Sequence, residues 1–414
     1  MRVRDEVEAR LARIAERDPV VHAWAHLDPD LARGQADALD RDGPRGPLHG
    51  LPVGVKDIID TAHLPTELGS PLHAGRRPAA DAAVVTALRQ AGALVLGKTV
   101  TTEFALYHPG ATTNPHDARR TPGGSSSGSA AAAADGMAPL TLGTQTAGSI
   151  IRPASFCGVW GFKPTHGLLD TAGVLRVSAT LDTLGLFSER LDVLVATFGA
   201  LTGAAAAAVP PARPRIGFAR TPQWSKAEPT TRTSLEQLAG GLADAGAEVV
   251  DVDLPELDGL VAAQQLIMAV EAAHNLGGQV DAGGDQVSAP TRELVAEGQA
   301  ARATAYAAAL EVAEASRDRM AGRFRDLDAL LSPSAIGEAP VGLDSTGDPL
   351  FCRAWTLLGT PCLAVPGLRG PAGLPLGFQL IGPRGGDAAL LALGAWFVDH
   401  LPAGTHPARP LGVS

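Results

Sequence analysis

Fourteen consecutive residues, Thr121 to Ala134, carry no charge and no side chain larger than proline or threonine. A stretch with so little to bury is either a solvated linker or backbone packed directly against other backbone. Uncharged alanines follow Gly123–Ser127 at once, and a second small-residue turn, Leu142 to Ser149, lies close behind. A linker set in buried-looking sequence leaves N–H and C=O groups that must find partners. The stretch therefore reads as a structured loop. Hydrophobic residues make up 45 % of the 414 residues but aromatics only 4 %. The core must then be built from Ala, Leu and Val, and Ala and Gly favour close helix–sheet packing.

A coarse pass places helices over residues 5–17, Asp30 to Leu39 and Asp81 to Ala91, the last with Asp81 as cap and Gly92 as stop. Leu51 to Val55 reads as a strand with Lys56 at its end, and Ala93 to Leu96 as a buried strand. The same helix–Gly–strand unit recurs with Leu235, Leu238 and Leu242, Gly246, and the alternation from Glu248 to Leu254. Residues 290–325 read as one long Ala-rich helix, followed by a strand over Asp328 to Leu331. Phe351 to Leu358 looks helical and Cys362–Val365 and Gly377–Ile381 look like strands, with Asp387 capping a last helix to about His400. The expected class is α/β, with one mixed sheet between helical layers. The Pro-rich stretch Val209 to Pro214 is either a domain boundary or a surface crossing within one domain.

The net charge of −10, with no basic block, argues against nucleic acid and anionic membrane surfaces as partners. Cys157, Cys352 and Cys362 lie far apart, without metal-ligand spacing, and a reducing cytoplasm is expected. Met1 to Arg17 is charged throughout and lacks the apolar stretch of a secretory signal. Val193 to Val209 is uncharged but short for a spanning helix, and reads as a buried helix running into a loop.

Two chemistries fit the small-residue loops. Gly124-Ser-Ser-Ser-Gly128 has the form of a nucleophile elbow with Ser126 attacking. That needs a strand before it and a downstream His, whereas Thr121-Pro-Gly123 is a poor strand end and His166 and His274 are isolated. The second chemistry uses lysine as base. Only Lys56, Lys98, Lys163 and Lys226 occur among 34 basic residues, so a lysine here is less readily dismissed as surface charge. Lys56 paired with Asp57 or another acid is the structural alternative. Cys157 reads as a small buried hydrophobe.

Val55-Lys56-Asp57, Gly123 to Ser129, Ala147-Gly148-Ser149, Arg152-Pro153 and Phe156-Cys157-Gly158-Val159 together resemble the amidase signature family over most of the chain. From Lys56 to Ser125 is 69 residues, and from Ser125 to Ser149 is 24, as that resemblance requires. Thr144 to Arg152 looks closest to the malonamidase and carboxylated-urea branch. The resemblance implies one large amidase domain over 1–414, with its motifs between 50 and 190 and residues 214–414 completing sheet and pocket wall. It implies Ser149 as nucleophile, Ser125 on a cis peptide as proton relay, and a neutral Lys56 as ultimate base. Burial can lower a lysine pKa from roughly 10.4 toward neutrality. The backbone N–H groups of Thr146, Ala147, Gly148 and Ser149 would form the oxyanion hole, each typically worth about 3 kcal/mol. Ala147 departs from the family's commoner glycine, which narrows the acyl pocket. Asp182 matches a structural position.

Arg152 lies three residues after Ser149, the placement with which that branch is taken to hold a substrate carboxylate; an ion pair within the fold is the other option. The implied activity is hydrolysis of a small carboxamide or urea-like C–N bond, without cofactor or metal, with a second copy as a homodimer or a small accessory subunit as the expected partner. Two other classes stay open, a glutaminase subunit of an amidotransferase and a non-catalytic scaffold, and an esterase is a smaller variation on the same acyl-enzyme mechanism. The segment 255–345 yields only Glu271, His274 and Arg292 as polar residues, read as structural or solvated.

Overall fold

The computed structural model describes residues 2–204 and 209–401. Its strands are β1 (Trp24–Leu27), β2 (Pro52–Lys56), β3 (Leu94–Thr99), β4 (Leu140–Gln145), β5 (Trp160–Lys163) and β6 (Thr183–Ser188). They continue with β7 (Arg215–Ala219), β8 (Glu248–Val252), β9 (Ala329–Pro333), β10 (Cys362–Arg369) and β11 (Pro375–Ile381). All join one mixed sheet in the order β1-β3-β2-β4-β6-β5-β10-β11-β9-β7-β8. The parallel pairs are β3–β2, β2–β4, β9–β7 and β7–β8. Because β7 and β8 extend the same sheet, Val209 to Pro214 is a crossing within one domain.

The inner strands of the sheet are buried on both faces, as successive residues of β3 show. Val95 enters the main hydrophobic cluster, while Leu94 and Leu96 enter a second cluster with Val7, Leu11 and Ile14 of the helix Val3–Val21. The helix Ser127–Ala134 is buried on every residue and feeds both clusters. Its small side chains permit this. A Cβ on Gly128 would stand 2.2 Å from the carbonyl oxygen of Ala23 and 2.4 Å from the nitrogen of Val100.

Most expected elements recur with shifted ends, and three expectations are corrected. Asp81 does not cap its helix, which runs Ala83–Gln90; its carboxylate accepts from the backbone of Ala62 and pairs with Arg89. Asp387 begins the helix Asp387–His400 but accepts from the backbone and hydroxyl of Thr165 instead of capping. The long helix over 290–325 is two, Ala289–Ala300 and Ala303–Arg323, broken where Ala301 and Arg302 are extended. The bend lets both halves lie against the 24-residue helix Leu260–Gly283, which sequence reading missed. The uncharged run from Val193 begins inside the helix Leu191–Thr202, and its end at 205–208 lies outside the described residues. Among the described residues no helix is long and apolar enough to cross a membrane.

Candidate active site

The C-terminal ends of the parallel strands β2 and β4 lie side by side, Val55 opposite Leu142. Lys56 closes β2 and is fully buried, its Nζ 2.8 Å from Ser125 Oγ and 2.8 Å from Thr144 Oγ1. Burial holds its pKa well below the usual lysine value, and the charge of Asp182 pulls more weakly the other way. A neutral amine has two N–H donors and one lone pair. With one donor spent on Thr144, the lone pair is free to accept the Ser125 proton. Asp57 is not its partner: it stands 3.1 Å from the buried Lys98.

The Gly124–Ser125 peptide is cis, as the resemblance implies. Both neighbouring carbonyls are held. Arg152 Nη2 donates to Gly124 O at 2.6 Å, and the Thr102 N–H donates to Ser125 O at 3.2 Å. Ser126 is committed elsewhere: its Oγ donates to Thr144 O and accepts from Thr144 N. That locks the loop to β4 and removes the free hydroxyl an elbow nucleophile needs. Cys157 is fully buried and its thiol pKa is pushed upward, so it is a packed side chain.

Ser149 stands in the turn before the helix Ile151–Cys157 and is 8 % exposed. Its hydroxyl makes no hydrogen bond to a described residue, so the Lys56–Ser125 pair is assembled while Ser149 stands outside that bond. The loop around it is fixed by its carbonyls. Gln264 Nε2 donates to Thr146 O at 3.0 Å, Thr356 Oγ1 to Ala147 O at 2.7 Å, and the Arg152 N–H to Gly148 O at 3.0 Å. Gln145 Oε1 accepts from the N–H groups of Ile150 and Ile151, while its Nε2 donates to Thr356. Thr146 Oγ1 donates to Asp182 at 2.6 Å, and burial lifts that carboxyl's pKa to about 6. The backbone N–H groups of 146–149, by contrast, donate to no described residue. Four unspent N–H donors on a pinned loop are available to an anion. Ala147 has no positive φ, so its methyl costs nothing in backbone conformation.

Gly148 is held to glycine by packing. A Cβ there would stand 2.7 Å from Pro349 Cβ and 3.0 Å from Cys352 Cβ. Gly148→Ala is expected to lower stability by about 1–3 kcal/mol and to cut turnover by displacing the loop. Denaturant melts together with steady-state kinetics measure both effects.

Arg152 is buried and pairs with no acid among the described residues, so the ion-pair option does not hold. Its Nη2 reaches Gly124 and Thr346, Nε and Nη1 have no partner, and burial pulls its pKa down to about 10. Glu271 fixes the loop before β6 by accepting from Ser178, Thr180 and Tyr306. Arg292 donates to Gly284 and Val287, and His274 is solvated. Sequence reasoning missed Thr144, Gln145, Gln264 and Thr356 as residues that hold the site. The first two had a signal: on one strand, alternation sends Thr144 to one face and Gln145 to the other. A cavity of about 370 Å³ opens beside this assembly, with Thr144, Thr146 and Asp182 in its wall.

The Amidase family model matches residues 5–391. The chain is 32 % identical to the A-type subunit of a glutamyl-tRNA(Gln) amidotransferase from Rhodopirellula baltica, over 97 % of this chain and 93 % of the relative. The crystal structure of an amidase superposes with a TM-score of 0.89 at 32 % identity, covering 97 % of each chain. The peptide amidase of Stenotrophomonas maltophilia gives 0.82 at 30 %, over 99 % of this chain and 96 % of that one. With fold and sequence matched along nearly the whole chain, this protein belongs to the Amidase family of hydrolases that act on C–N bonds.

Proposed function

We propose that the chain releases ammonia from a small primary carboxamide through an acyl-enzyme on Ser149. The observation that carries this is the buried Lys56–Ser125 contact beside a loop with four unspent N–H donors. Ser149 attacks the carbonyl carbon and gives its proton to Ser125, whose own proton passes to Lys56. The N–H groups of 146–149 take the negative charge that builds on the carbonyl oxygen. As the C–N bond breaks, Lys56 returns a proton through Ser125 to the departing nitrogen. Water activated by the same relay then frees the acid and restores Ser149.

The amidotransferase relatives favour glutamine as the amide and a partner protein that takes up the ammonia. The two unpartnered nitrogens of Arg152 support a second reading, a free-standing hydrolase of a small carboxylated amide. Ammonia release from glutamine, succinamate and butyramide tests these readings. A preference for glutamine of tenfold or more supports the first, and a preference for succinamate the second. Absence of turnover on every amide and ester sinks both and leaves a scaffold.

A further inference from the structure

The loop that walls the cavity between β5 and β6 carries a cation with nothing to hold. Arg176 lines the same cavity as Thr144 and Thr146, is exposed, and makes no hydrogen bond or ion pair with any described residue. A free arginine on a surface is ordinary; this one sits on a backbone bolted at both sides. The Leu175 N–H donates to Ile58 O at 2.9 Å, two residues beyond Lys56. The Val177 N–H donates to Asp182 Oδ2 at 2.8 Å, and Asn275 Nδ2 donates to Val177 O at 3.1 Å. Asp182 in turn accepts from Thr146, at the start of the oxyanion loop. The Arg176 backbone is therefore registered both to the base strand and to the loop before Ser149.

The other ionisable groups of this wall are already engaged. Asp182 is occupied by Thr146, Val177 and Ser178. Asp170 accepts from the Ala172 N–H, and His166 Nε2 lies 3.1 Å from Ala179 O. Among the ionisable side chains of this wall, Arg176 alone has no partner among the described residues. Arg152 does not line this cavity, and its Nη2 is spent on Gly124 O and Thr346 Oγ1.

We infer that Arg176 is the specificity-determining residue of the site, binding a carboxylate at the end of the substrate remote from the scissile amide. A guanidinium fork suits a carboxylate, because it donates two parallel hydrogen bonds, and the fixed backbone leaves only the side chain itself to be ordered. Both glutamine and a carboxylated small amide carry such a group, so the inference rests on the amide-hydrolase reading and narrows its substrate class.

The test compares Arg176→Ala and Arg176→Lys with wild type on succinamate and on butyramide, its uncharged counterpart of similar length. The ratio of kcat/KM for succinamate over butyramide is expected to fall about 10–100-fold in the alanine variant, mostly through KM. The lysine variant should recover part of it. Titration of succinamate into Ser149→Ala and Ser149→Ala/Arg176→Ala protein by calorimetry reads binding without turnover and should weaken by a similar factor. A ratio that stays within twofold of wild type, or equal succinamate affinity with and without Arg176, overturns the inference and returns the carboxylate to Arg152. Loss of all amide turnover in wild type sinks the hydrolase reading instead, and is told apart because it spares no substrate.

Discussion

Ser149→Ala is expected to cut ammonia release by roughly 10⁴- to 10⁶-fold while leaving the protein folded. The size of the loss follows from the site. Ser125 is engaged with Lys56, and Ser126 with the backbone of Thr144, so no other hydroxyl of the loop is free to replace the nucleophile. The fold should survive because the turn is held by the carbonyls of 146–148 and by Gln145, and by nothing on the Ser149 side chain. Removing one hydroxyl that pairs with no described residue costs little stability, so melting should shift by no more than a few degrees. Wild-type enzyme given an ester substrate should show a burst that the variant lacks, since the burst reports the acyl intermediate. A variant keeping more than a tenth of the wild-type rate would remove Ser149 from the mechanism.

Lys56→Met is expected to lower kcat/KM by about 10²–10⁴-fold and to abolish its dependence on pH at the acid side. The sign comes from burial. A buried lysine with a depressed pKa is neutral over the range where an exposed one is charged, and only the neutral form accepts the Ser125 proton. Wild-type activity should therefore rise with pH through that depressed value and then level off. Linkage runs the same way for stability: across the window from the depressed value to the ordinary 10.5 the unfolded chain binds more protons, so the native state gains as pH rises. Methionine has no proton to gain or lose, so the variant's profile should be flat there. Because base and nucleophile act as one unit, Ser149→Ala/Lys56→Met should be no slower than Ser149→Ala alone. A Lys56→Met enzyme with an unchanged acid limb would assign that limb to another group, with Asp182, at about 6, the first to examine.

Much of this site is local in sequence. Lys56 at the end of an apolar run, the Gly–Ser loop and the Ala147-Gly-Ser149 turn stand at the spacing that the resemblance to the amidase signature family requires, and helix–Gly–strand units marked the α/β class. The α/β units and the structured loop are readable because they follow from backbone periodicity and from residues without side-chain bulk, whereas the roles at the site came from the resemblance of its motifs to the amidase signature family. The tertiary structure decided what each polar group spends its bonds on. Ser126 and Ser125 are adjacent and chemically alike, yet one is tied to β4 and the other to Lys56. Arg152 and Arg176 are both cations near the turn, yet one is buried behind the cis peptide and the other faces an open cavity. Gln264 and Thr356, more than a hundred residues away, hold the carbonyls of Thr146 and Ala147 from helices whose packing no local pattern discloses. Hydrogen-bond partners at such separations are set by how the helices pack on the sheet, which is a property of the whole core and of no single stretch of chain.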